Sequence, residues 1–134
     1  MNNTSNAEET PNGDLAIRVL AMPENTNPAG DIFGGWVLSQ MDIAGGLITK
    51  KISKGRTVTI AVDSMIFHKP VLIGDTICCY VDVVKKGRTS IKVKIETWVS
   101  RQYEDLREKV TEGTFTYVSV CSDRKPRPID SPYQ

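Results

Sequence analysis

Gly30–Lys51 reads GDIFGGWVLSQMDIAGGLITKK. From Phe33 to about Lys50, the apolar residues Phe33, Val37, Met41, Ala44 and Ile48 recur at helical spacing. Trp36, Ile43 and Leu47 widen that stripe until most of the helix is apolar, so the spacing predicts a helix wrapped by other structure. Asp31 is expected to cap its start. Lys50, Lys51 and Lys54 fall near its end, where cations suit the helix dipole. Two features are not explained by burial. Asp42 stands in the middle of the apolar stretch, and the pair Gly45-Gly46 costs the helix roughly 2 kcal/mol relative to alanines. Glycines inside a helix point to the close approach of a partner helix or a ligand.

Around this helix the pattern is that of strands. Leu15 to Ala21 is a short apolar run consistent with a first or edge strand, and MPENTNPAGD is a loop dense in turn formers. After Gly55 the period changes to two: Val58, Ile60, Val62 and Ile66 alternate with Thr57, Thr59 and Asp63. A turn at Ile73–Asp75 leads to a β-branched run from Thr76 to Val84. A second turn, KKGRTS, leads to Ile91, Val93, Ile95 and Val99, which alternate with charged residues as a half-exposed strand. Arg101 to Asp105 reads as a polar loop and Thr114 to Val120 as a last strand. One long helix with several strands at hairpin spacing is an α+β layer architecture.

The bulk numbers bound the function. A chain of 134 residues makes one domain. It divides into a polar leader (residues 1–13) expected to be disordered, a folded domain (14–121) and a Pro-rich tail (122–134) barred from a sheet interior. The formal net charge of +1, with scattered Lys and Arg, gives no reason to expect a nucleic-acid partner. No apolar run reaches the length of a membrane span, and the leader has no secretory pattern. Three cysteines without a CxxC pair form neither a disulfide framework nor a zinc pattern, so they read as core filler in a reducing cytoplasm. No metal site is expected.

Asp42 lies seven positions after Gly35, two helical turns or roughly 10 Å of rise along one side of the rod. The amides near Gly34 and Gly35 are orphan donors that could hold a developing oxyanion. Asp42 could be the base or nucleophile that drives attack on the carbonyl carbon. Ten ångströms is too far for one small reacting group, so the pair would be completed by a second subunit. The ordinary alternative is an aspartate that faces solvent or pairs with a lysine. His68, the one histidine, lies at a strand end and reads as structural or surface. Trp98, on the polar side of its strand, reads as cover for an oligomer contact.

AMPENTNPAGDIFGGWVLSQMD (Ala21–Asp42), VTIAVDSMIFHKPVLIGDTICCY (Val58–Tyr80) and KKGRTSIKVKIETWV (Lys85–Val99), in that order, resemble the hotdog-fold acyl-CoA thioesterases of the YciA-type branch. The match runs from about Leu20 to Val120. The resemblance implies a hotdog fold, a long central helix wrapped by a curved antiparallel β-sheet. It also implies a dimer with a continuous sheet, assembled further as a trimer of dimers, and an active site at the dimer interface. The implied reaction is hydrolysis of acyl-CoA thioesters to free acid and CoA without a cofactor. The family's catalytic acid falls on Asp42 as general base or nucleophile, and its active-site asparagine falls on Asn27. Amides near Gly34 and Gly35 would polarise the thioester oxygen, and Arg88, Thr89 and Ser90 would contact CoA. Lys54 and Arg56 would add weaker positive charge. Two alternatives stay open: Asn27 as turn chemistry before Pro28, and a non-enzymatic acyl-CoA-binding module or sensor on the same fold. An acid in an apolar helix favours the enzyme, since a binder has no need of it.

Overall fold

The computed structural model describes residues 10–133. Five antiparallel strands form one sheet: β1 (Asp14–Leu20), β2 (Arg56–Phe67), β3 (Thr76–Lys86), β4 (Ser90–Ser100) and β5 (Arg107–Val120). Their spatial order is β1-β3-β4-β5-β2, with β1 and β2 at the edges. The helix α1 (Gly34–Ser53) touches all five strands. Among the described residues α1 is the one α-helix, wrapped by a sheet as the hotdog resemblance implied.

The sequence reasons for these elements are visible in the burial. Val37, Met41 and Ala44 of α1 are fully covered and meet Ile91, Val93, Ile95 and Phe115 on the inner face of the sheet. Burying a side chain the size of Val37 or Met41 contributes about 1.5–3 kcal/mol. The stripe is wrapped only in part, contrary to expectation: Trp36 and Ile48 are half-buried against the core, whereas Phe33, Ile43 and Leu47 are exposed in the single chain. A helix against one sheet can bury only one side of itself.

Other expectations are corrected by the tertiary structure. Asp31 does not cap α1. Phe33 is the N-cap and no side chain caps the turn, because the loop folds back through a Thr26–Ile32 bridge before the helix begins. β5 starts at Arg107, seven residues before the expected strand, and lies between β4 and β2. β4 is half-exposed only in its first part. Glu96 and Trp98 are both buried, with Trp98 Nε1 donating to Glu96 Oε1 at 2.9 Å and the Arg107 guanidinium 5.7 Å from its ring. Trp98 is therefore covered by its own chain and offers little to an oligomer contact.

Of the leader expected over residues 1–13, residues 1–9 lie outside the described part of the chain. Asn12 donates through its side chain to Glu96 Oε2 at 3.1 Å. Gly13 adopts φ +100°, and a side chain there would strike the Val81 carbonyl. The tail bridges back to β5 at Val120–Pro126, outside the sheet interior. Arg127, 2% exposed, donates to the Ser53 carbonyl, so the tail holds the C-terminal end of α1. Cys78 and Cys79 are buried and unpaired, consistent with core filler. Burial pushes the Cys79 thiol up to about 11. No helix among the described residues is long and apolar enough to cross a membrane.

Candidate active site

α1 carries one carboxylate, Asp42, half-buried at the middle of the helix. β2 and β5, paired Thr59 to Tyr117, bring two hydroxyls to it. Thr59 Oγ1 donates to Asp42 Oδ1 at 2.6 Å and Tyr117 Oη donates to the same oxygen at 2.8 Å. Tyr117 Oη also lies 3.0 Å from the Asp42 carbonyl oxygen. Among the described residues no protein donor reaches Oδ2, and no Lys, Arg or His forms an ion pair with Asp42. Of the ordinary alternative, an aspartate facing solvent or paired with a lysine, the lysine pair is absent among the described residues. Burial, with the Asp42 carboxylate beside it, pushes the Tyr117 hydroxyl far above the ordinary tyrosine range, so it remains a donor.

The same tyrosine explains one of the two helix glycines. A side-chain carbon at Gly45 would stand 2.1 Å from Tyr117 Oη, whereas at Gly46 it would meet nothing within 4 Å. At Gly45 the close approach is that of the chain's own tyrosine.

The first backbone bonds of α1 are Trp36 N and Val37 N to the Phe33 carbonyl. The amides of Gly34 and Gly35 precede them and have no acceptor among the described residues. Asn27 sits beside this helix end. Its Oδ1 accepts from Ala29 N (2.9 Å) and Asp31 N (3.1 Å), which is the turn chemistry the sequence allowed. That fixes the side chain and leaves Nδ2 without an acceptor among the described residues. Asn27 and Gly34 line one cavity of about 330 Å³ together with Val37, Phe67 and His68. Asp42 is not in its wall. In one chain, then, Asn27 and the helix amides come together and Asp42 stands apart.

His68 Nε2 lies 2.7 Å from Glu112 Oε2, and this pairing agrees with the structural reading of that histidine. Burial raises the Glu112 carboxyl, but His68 and Lys94 hydrogen bonds and the Lys109 charge outweigh it and bring the value down to about 2. Arg88 and Thr89 lie in the β3–β4 turn and Ser90 opens β4. Arg88 is exposed, Ser119 N donates to the Thr89 carbonyl at 2.8 Å, and Ser90 stands opposite Val118, the neighbour of Tyr117. The turn thus lies on the Tyr117 end of the sheet. Among the described residues no cluster of three His, Cys, Asp or Glu could hold a metal ion.

Sequence reasoning missed Thr59 and Tyr117 as partners of Asp42. The signal was present: Tyr117 alternates with Phe115 on the inward face of a strand, and a buried tyrosine hydroxyl needs a polar partner. The helix offered one acid.

A thioesterase superfamily profile matches residues 29–104. The chain is 50% identical over 125 residues to the acyl-CoA thioester hydrolase YciA of Salmonella typhimurium, covering 91% of this chain and 94% of that protein. A hexameric thioesterase from Yersinia pestis superposes with a TM-score of 0.87 at 50% identity, over 91% of this chain and 100% of the other. A hexameric hotdog fold thioesterase of Campylobacter jejuni does so with a TM-score of 0.84 at 45% identity, over 88% and 91%.

Proposed function

The chain belongs to the thioesterase superfamily, in its YciA-type acyl-CoA thioester hydrolase branch, and from that premise we propose that it hydrolyses acyl-CoA thioesters to free carboxylic acid and CoA at a site shared by two copies of the chain. One observation carries the catalytic assignment: Asp42 sits on an apolar helix with both of its donors on Oδ1 and Oδ2 open.

Asp42 takes the proton from a water that attacks the thioester carbon, or attacks it directly to give an anhydride that water then opens. The C–S bond breaks and CoA leaves as the thiol. The Gly34 and Gly35 amides stabilise the carbonyl oxygen as it becomes an oxyanion, in the way helix N-termini favour negative charge. Asn27, its orientation fixed by its own turn, offers Nδ2 to the water or the carbonyl. Arg88, with the Thr89 and Ser90 hydroxyls, binds the phosphates of CoA. Water is the only co-substrate, and no cofactor is required.

Two turns of helix separate Asp42 from the Gly34–Gly35 amides, so one chain's acid works with its partner's amides. Exposed apolar residues support the pairing: Ile43 and Leu47 on α1, with Ile60, Val62 and Ile66 on the unpaired edge strand β2. Joined along β2, two sheets become continuous. The hexameric relatives favour three such dimers. The compartment proposed is the cytoplasm, given three unpaired cysteines.

The test is thiol release from acyl-CoAs of short to long chain by wild type and Asp42→Asn. The wild type is expected to turn over, and Asp42→Asn to bind the esters while losing about 10³-fold in kcat. Full turnover by the variant would remove Asp42 from the mechanism. Binding without turnover by either protein would make the chain an acyl-CoA-binding module. Arg88→Ala is expected to raise KM about tenfold at unchanged kcat, as loss of a charged hydrogen bond would.

A further inference from the structure

We propose that Tyr117 is a positioning residue for the reaction: its hydroxyl, together with that of Thr59, locks the Asp42 carboxylate through Oδ1 and so aims Oδ2 at the reacting centre, and residue 45 is glycine because that hydroxyl fills the space of its side chain. This rests on the role given to Asp42 above.

The supporting geometry converges from three elements. Tyr117 is 1% exposed on the interior strand β5, and its ring stacks on Phe115 with centroids 6.4 Å apart and planes 14° from parallel. A side chain so enclosed has little rotational freedom. Its hydroxyl reaches both the Asp42 side chain and the Asp42 carbonyl, tying carboxylate and helix backbone to one fixed point. From the other side, Thr59 on β2 donates to the same Oδ1. A carboxylate with a single donor can swing about its last bond, whereas two donors converging on one oxygen define the direction of the other. Both donors are neutral, so the carboxylate is oriented without being paired to a cation. Orienting a reacting group is worth more to turnover than to binding, since misplacement by about 1 Å can cost about 10²-fold.

Gly45 completes the arrangement. A methyl there would overlap Tyr117 Oη at 2.1 Å and the ring carbons at 2.7 and 2.8 Å. Helix and tyrosine can meet at this depth only if residue 45 lacks a side chain.

The experiment is steady-state kinetics of Tyr117→Phe, with its melting midpoint and Asp42→Asn measured alongside. Phenylalanine keeps the ring and its packing and removes only the oxygen. The expected result is a fall in kcat of about 10- to 100-fold, with KM within twofold and a melting midpoint within a few degrees of wild type. Thr59→Val is expected to lower kcat in the same way, and Thr59→Ser to restore it. A Tyr117→Phe kcat within twofold of wild type overturns the proposal. So does a kcat loss accompanied by an equal rise in KM and a large drop in melting midpoint, the pattern of a residue that serves only the fold. If Asp42→Asn keeps turnover, the catalytic assignment itself is wrong. If Asp42→Asn is inactive and Tyr117→Phe is not impaired, only the positioning role falls.

Discussion

Asp42 and Asp75 are both carboxylates drawn away from water, yet their surroundings differ in kind. Asp75 is 2% exposed where the turn enters β3, and its Oδ2 accepts from the Leu72 amide at 2.8 Å and the Arg101 guanidinium at 2.5 Å. Arg101 reaches on to Glu108, which Lys69 also contacts, and these bonds, led by that of Lys69, hold the Glu108 carboxyl below its usual range. Every charge there has an opposite charge beside it, and the network ties the start of β3 to the loop between β4 and β5. Asp42 has two hydroxyls and no cation. A buried charge without its partner is expensive, so a network such as that of Asp75 serves stability. A carboxylate oriented by neutral donors keeps its charge available for chemistry.

The widest break in this comparison would come from exchanging the two losses. Asp42→Asn is expected to keep the wild-type melting midpoint while turnover collapses. Asp75→Asn is expected to lose about 3–5 kcal/mol of stability, as when one partner is removed from a buried pair, while the protein that remains folded keeps its kcat. Thermal denaturation followed by circular dichroism, read beside thiol release, checks both, and matching behaviour of the two variants would dissolve the distinction. Gly45→Ala should show both kinds of damage. The added methyl displaces Tyr117, costing about 1–3 kcal/mol by overpacking and reducing turnover at least as much as Tyr117→Phe.

The smallest effect concerns a third carboxylate of the Asp75 kind. Glu112 is brought to about 2 in the folded chain by bonds from His68 and Lys94. Its folded value lies below its unfolded one, so it contributes stability that is present above about pH 4.5 and disappears as pH falls toward 2. The melting difference between wild type and Glu112→Gln should be full at neutral pH, at most about 3 kcal/mol, and should close over that acid window. A difference that did not narrow there would show that the pairing with His68 and Lys94 contributes nothing to the fold.

How much of this was legible in advance varies from element to element. The apolar period of Val37, Met41 and Ala44 and the alternation through Ile91, Val93 and Ile95 are local patterns, and both elements formed where those patterns lie. The first half of β5 was hidden because Arg107, Glu108 and Lys109 look like a charged loop. They are tolerated in an interior strand because Glu108 pairs with Lys69 and Arg101, and Arg107 lies over Tyr80 and Trp98. Trp98 misled for a related reason: alternation puts it on the polar side of its strand, but Glu96 and the Arg107 guanidinium cover it there.

The sequence by itself determined that one helix would bury an apolar stripe, that strands would cover it, and that a single acid would stand within it. Each of these follows from periodicity and residue type over a few turns or strand pairs. Only the tertiary structure decided what surrounds that acid. Thr59 and Tyr117 lie 17 and 75 positions from Asp42 along the chain, and no local period links them. The register of β2 on β5 sets Thr59 beside Tyr117, the packing of α1 on that sheet carries both hydroxyls to Asp42, and the missing side chain of Gly45 allows the approach.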